Sequence, residues 1–174
     1  MFDNILEAIC LHCSPVLLFF LHRTSSCFLQ IISREGFWRA KFARDGLLCI
    51  PLERKEHVIA WLAEYNRRRN AKTSMKEFKS GDGSKYLTLE EVTSLGITDI
   101  KPIYSRYHCE LFFHRRPKRN LYFYNVNVVR DIIREPRGFY HEVKQTQPYR
   151  REVSKKEFYQ LLFLYYYKIE WASG

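Results

Sequence analysis

The stretch "GFYHEVKQTQP" (Gly138 to Pro148) sets Glu142 and Lys144 at E-x-K spacing, with His141 just before the glutamate. Residues two apart on a strand share a face, so a carboxylate and an ammonium would stand side by side there. Metal-dependent phosphodiester cleavage uses such a pair, but it needs two or more carboxylates gathered around Mg²⁺. Asp131, in "VVRDII", is the one upstream acid placed to join Glu142. No Pro-Asp precedes the pair, and two loosely spaced acids are a weak metal signal.

A second chemistry needs no metal. RNA can be cut through its own 2′-hydroxyl where a protein supplies positioning, proton transfer and cations for the pentavalent phosphorane. "RRPKR" brings Arg115, Arg116, Lys118 and Arg119 into one short loop, and "YRR" adds Tyr149, Arg150 and Arg151. Arg119 opens one strand, and His141 and Lys144 belong to the next. His141 is the preferred proton carrier because imidazole titrates near neutral pH; Tyr149 is the reserve. Three residues separate His141 from Lys144, so only a bulge would bring both to one face. Taken singly, each cation is an ordinary solvated surface group. Their fall on adjacent strands is what points to a site.

The rest of the composition narrows the classes. The chain has 174 residues, 46% apolar and 28% charged, which is globular composition with enough length for a core. Its formal charge is +10. Residues 101–151 hold 12 Lys/Arg against 4 Asp/Glu. Such a concentration suits a polyanion, nucleic acid before an anionic membrane surface. Five cysteines, an odd number without regular spacing, argue against a disulfide framework and for a reducing compartment. Cys10-x-x-Cys13 lies near His12 and His22, but no second pair follows at zinc-finger spacing, so no metal site is assigned. The apolar run Val16 to Leu21 is far short of the ~20 residues of a membrane span. Asp3 and Glu7 do not fit the basic start of a signal peptide. Residues 1–35 therefore read as an N-terminal helical extension of unknown role, ahead of a domain over 36–174.

The elements that must position the cations are read from periodicity. "GFWRAKFARDGLL" alternates Phe37, Arg39, Lys41 against Trp38, Ala40, Phe42, and so predicts a strand turning at Asp45-Gly46. Val58, Trp61, Leu62 and Tyr65 mark one face of a helix, with Glu64, Arg67 and Arg68 on the others and Asn70 as a break before "TSMKEF". "SGDGS" reads as a loop, and Thr88 with Glu91 as a capping box opening a helix that Gly96 ends. "SRYHCELFFH" and "NLYFYNVNVV" flank "RRPKR" as a hairpin, and "GFYHEVKQT" is a third strand. Ser154 and Glu157 cap a last helix whose stripe is Phe158, Leu161, Leu162, Tyr165 and Ile169. The class is α+β, a small antiparallel sheet with helices packed on one side.

Lys101-Pro102, Glu110-Leu111, Arg119 with Tyr122-Phe123, Gly138-Phe139, Lys144-Gln145-Thr146 with Pro148, and Glu157 follow one another in a fixed order. That order resembles the RelE/ParE toxin superfamily, nearest its HigB-like, phage-derived branch, over about residues 36–170. Phe112 stands where the family has an arginine, and the segment from Gly138-Phe139 to Pro148 is one residue longer, with Glu142-Val143 where basic residues are usual. The resemblance implies a compact cytoplasmic toxin that cleaves mRNA on the ribosome without a cofactor and is neutralised by a helix-turn-helix antitoxin. Carried over by position, Arg119 and Lys144 would act at the scissile phosphate. Three classes stay open: a metal-independent endoribonuclease, a non-catalytic basic module binding RNA or protein, and a metal-dependent E-x-K nuclease.

Overall fold

The structure is a computed structural model that describes residues 2–98, 107–132, 142–145 and 149–170. Its contacts divide the chain into two compact units, Met1–Ser74 and Met75–Ser173.

Five helices build the first unit: α1 (Phe2–His12), α2 (Pro15–Thr24), α3 (Ser26–Ile32), α4 (Glu35–Arg44) and α5, which starts at Val58 and ends at Glu77. Ser14 caps α2, its hydroxyl accepting from the Leu17 N–H at 3.2 Å, while Pro15 fills the first turn, where no amide partner is needed. The expectation that residues 1–35 are helical holds. Cys10, Leu18, Ile31 and Ile32 enter the same core as Phe37, Trp38, Phe42, Trp61, Leu62 and Tyr65. Trp38 and Trp61 stack at its centre, centroids 5.9 Å apart and planes 9° off parallel. The sequence-based division at 35/36 and the structural one at Ser74/Met75 are thus different cuts of the chain.

The strand expected from Phe37 to the turn at Asp45-Gly46 is instead α4. Its buried positions are Phe37, Trp38, Lys41 and Phe42, two i,i+4 pairs and so one helical face. The alternation misled because Lys41, despite its charge, is 3% exposed and shares the buried face with Phe37, Trp38 and Phe42. Its ammonium donates to the Leu11 carbonyl at 2.8 Å and meets the Asp45 carboxylate at 3.0 Å. In α5 the predicted stripe is buried, but the helix runs through Asn70, whose helix penalty is under ~1 kcal/mol and which precedes the buried Ala71. Glu64 and Arg68, expected on solvated faces, are also buried.

The second unit contains β1 (Gly83–Leu87), α6 (Leu89–Ser94), β2 (Tyr107–Arg116), β3 (Leu121–Ile132), β4 (Glu142–Gln145), β5 (Tyr149–Glu152) and α7 (Lys155–Tyr165), which continues as a π-helix over Tyr166–Glu170. All pairings are antiparallel, in the order β1-β2-β3-β4, and β5 joins the same edge of β3 as β4. This is the expected α+β class. The predicted capping box of Thr88 and Glu91 opens α6, and Ser154 caps α7 through the Glu157 N–H at 3.2 Å. Alternation along the hairpin buries Cys109, Leu111 and Phe113 of β2 and Tyr124 and Val126 of β3. Phe158 of α7 packs edge-on against Phe113 at 5.8 Å, and its predicted companions Leu161, Leu162, Tyr165 and Ile169 are buried as well. β1 and β5 were not foreseen.

Candidate nucleic-acid interface

The β2–β3 hairpin closes through a 3-10 turn, Pro117–Arg119, followed by Asn120 in the left-handed region at φ 49°. Proline fixes φ at the turn's start, and asparagine is among the few residues that adopt the left-handed conformation readily. The Asn120 N–H closes the turn on the Pro117 carbonyl at 3.0 Å. Arg116, Lys118 and Arg119 project from this turn as exposed side chains without an ion pair to any described residue.

Arg115 behaves differently. Its guanidinium donates to the Phe78 carbonyl at 3.0 Å and lies 5.2 Å from the Phe78 ring centroid, while its backbone N–H reaches the Ser80 hydroxyl. It anchors the hairpin.

β5 carries its two arginines to opposite faces of the sheet. Arg151 pairs with Glu157 of α7 at 3.7 Å, and Tyr149 shares that side, 6.4 Å from Tyr124. Arg150 lies on the other face, with its guanidinium 3.8 Å from the Phe123 centroid and 3.2 Å from the Glu152 carboxylate. His114, opposite Phe123 in register, stacks on the same ring at 4.8 Å with planes 16° apart. These two neighbours leave Phe123 only 5% exposed. Asn125 brings its side-chain nitrogen to 3.2 Å from His114 Nε2. Burial holds the His114 imidazole below its ordinary pKa, and the charges of Arg150 and Arg116 push in the same direction. The Phe123 ring thus lies between His114 of β2 and Arg150 of β5.

Lys144 pairs with Arg130, near the end of β3 remote from the turn. Nine steps of β3 separate Arg130 from Leu121, roughly 30 Å at 3.3 Å per residue. The structure does not bring Arg119 and Lys144 together, and the grouping expected from adjacent strands is corrected on that point. His141 lies outside the described residues, as do Lys101-Pro102, Gly138-Phe139, Thr146 and Pro148. Asp131 pairs with Val143, in register with neither Glu142 nor Lys144. Among the described residues no group of three His, Cys, Asp or Glu gathers as a metal site would. At Cys10-x-x-Cys13, Cys10 is buried, its thiol pKa raised mainly by burial, and Cys13 bonds the Ile9 carbonyl.

In place of the expected trio, the sheet assembles His114, Arg116, Asn125 and Arg150 around Phe123. The one signal in the sequence is a histidine immediately before "RR" on a strand, two residues from Arg116 and so on the same face.

Fold and site thus define an α+β protein whose antiparallel sheet carries α7 on one face and a basic, histidine-bearing surface at one end of the other. Compared with family models, curated proteins and solved structures, the chain has no match. The likeness to RelE/ParE toxins rests on the order of its motifs.

Proposed function

We infer that the second unit binds single-stranded RNA along the hairpin turn and β5, and cleaves it without metal through the 2′-hydroxyl. The observation that carries this reading is His114 stacked on the Phe123 ring that also lies under the Arg150 guanidinium, next to a turn where Arg116, Lys118 and Arg119 are exposed without an ion pair to any described residue. Exposed cations on a preset backbone attract a phosphate chain, and an imidazole within reach of their charge is suited to proton transfer beside a developing negative charge. The motif order supplies the substrate class, mRNA on the ribosome, and a helix-turn-helix antitoxin as partner. No described helix is long and apolar enough to cross a membrane.

The test is incubation of the full chain with end-labelled RNA in EDTA. Cleavage to a 2′,3′-cyclic phosphate, absent when the cleaved position is 2′-deoxy or 2′-methoxy, is the expected result. Activity that requires Mg²⁺, or a 2′-deoxy substrate cut at the normal rate, overturns the mechanism. Arg119→Ala is expected to lower turnover ~10²-fold, because its charge acts on the transition state. Lys144→Ala, which the family's motifs also assign to the scissile phosphate but which stands apart from the turn, is its control. An equal loss in both would place the scissile phosphate nearer β4.

A further inference from the structure

We propose that His114 and Asn125 form the proton-transfer pair of this face, His114 taking the proton from the substrate's 2′-hydroxyl and Asn125 positioning its imidazole. The pair rests on the cleavage reading above and names the groups that would carry it out.

Three features of the cluster converge on this role. First, the ring is held in plane: His114 stacks on Phe123, which also lies under the Arg150 guanidinium. Second, the contact at Nε2 defines a tautomer. An amide nitrogen only donates, so with Asn125 Nδ2 at 3.2 Å the His114 Nε2 accepts and the ring proton sits on Nδ1. Third, this arrangement leaves the Asn125 Oδ1 buried without a partner. A buried acceptor left unpaired is unfavourable. A half-rotation of the amide occupies the same volume and presents Oδ1 to Nε2. It then accepts from Nε2–H, and Nδ1 is left bare to receive a proton. One side chain thus matches both protonation patterns of the ring, donating to a bare Nε2 or, half-rotated, accepting from Nε2–H, with Nδ2 then in the buried place that Oδ1 leaves.

The charged groups around the ring are accounted for. Arg116 comes from its own strand and Arg150 from β5, the latter paired with Glu152. On β2 and β3 the Glu110 carboxylate accepts from Asn127 at 3.4 Å, and before β1 the Asp82 carboxylate accepts from the Lys79 N–H at 2.7 Å. These acids are engaged elsewhere, and the arginines dominate at the ring.

In the step proposed, the 2′-hydroxyl proton passes to Nδ1 while the 2′-oxygen forms a bond to phosphorus and the bond to the 5′-oxygen breaks. The leaving oxygen takes a proton from solvent water, and the imidazolium later returns its own to solvent. Arg116 and Arg150, the cations whose charge reaches the ring, would act on the negative charge that develops on the phosphorane.

The experiment is a pH series of turnover on an end-labelled, unstructured RNA in EDTA, using the full chain and variants whose thermal melts match the wild type. His114→Gln keeps a polar side chain of similar size but cannot titrate; it is expected to lower kcat at least ~10²-fold with KM within ~3-fold. Asn125→Ala should slow turnover ~10-fold. Asn125→Asp keeps an acceptor at Nε2, so it should retain more activity than the alanine variant and move the acid limb to higher pH, as a carboxylate beside an imidazole must. A wild-type rate from His114→Gln overturns the pair and leaves RNA cleavage standing. RNA bound by the wild type but never cut overturns cleavage and the pair together. Should His114→Gln fail to fold, an acid limb unmoved in Asn125→Asp overturns the proposal.

Discussion

Cations in the two units have opposite situations. In the first unit, Arg68 is 1% exposed; it pairs with Glu64 at 2.6 Å and donates to the carbonyls of Leu47, Ile50 and Pro51 at 3.1, 2.9 and 2.8 Å. Lys41 and Lys72 both reach Asp45, through its carboxylate and its backbone carbonyl, and Arg44 bonds the Leu11 carbonyl. These groups tie the irregular segment between α4 and α5 to the helices. In the second unit, Arg116, Lys118 and Arg119 stand exposed on one turn without an ion pair to a described residue. A buried cation with its hydrogen bonds filled has nothing left for a ligand, whereas a cluster of solvated like charges is unfavourable by itself and is relieved by an anion. Charge counts in the sequence do not distinguish the two; partners do.

The contrast can be broken at four points. The largest expected effect is Arg68→Ala, which leaves Glu64 charged and buried and three carbonyls without their donor. It should destabilise the first unit by ~3–5 kcal/mol in denaturant melts. The triple change of Arg116, Lys118 and Arg119 to alanine is expected to leave stability within ~0.5 kcal/mol. The same change should make the salt dependence of RNA affinity shallower by about 2 log units per log unit of salt, at ~0.7 per phosphate. A melt that collapses with the triple change, or a salt slope it leaves untouched, would remove the distinction between the units.

Smaller effects sharpen it. The Tyr65 hydroxyl donates to Asp45 at 2.6 Å, and burial together with that bond raises its pKa to about 12 from the ordinary 10. Between those values the folded chain keeps a proton that the unfolded chain has lost, so stability should fall as pH rises from 10 to 12. Tyr65→Phe should cost ~1 kcal/mol at neutral pH and flatten that alkaline slope. The smallest effect is expected for Lys144→Ala on RNA binding at the turn. Its separation of roughly 30 Å is several Debye lengths at ~0.1 M salt, so affinity should change less than ~2-fold when measured by titration.

What could be read beforehand followed the physics of periodicity. The stripes of α5 and α7 were legible because each repeats its apolar positions several times, and the hairpin because two β-rich runs flank a basic, proline-containing turn. α4 was misread at Lys41, since a buried lysine breaks the equation of charge with solvent. β1, "GSKYL", hides behind its glycine and serine, and β5, "YRRE", has no apolar alternation; both exist through pairing with β2 and β3. The turn cations were visible as a run. The grouping of Arg119 with Lys144 failed because strand adjacency does not fix position along a strand. His114 and Asn125 meet only through the register His114↔Phe123 and Phe112↔Asn125, which no local pattern announces.

The turn's backbone also bears on timing. Pro117 restricts one torsion, Asn120 occupies the left-handed well, and a hydrogen bond ties the two residues. An anion arriving there meets groups whose main chain is already in place, so little ordering entropy is lost on capture. Encounter should then be limited by diffusion and electrostatic attraction rather than by a rearrangement of the loop, with an association rate that falls steeply as ionic strength rises. Substitutions among the contacting side chains would register mainly as shorter residence times. Loosening the turn itself, as Pro117→Gly would, should slow arrival.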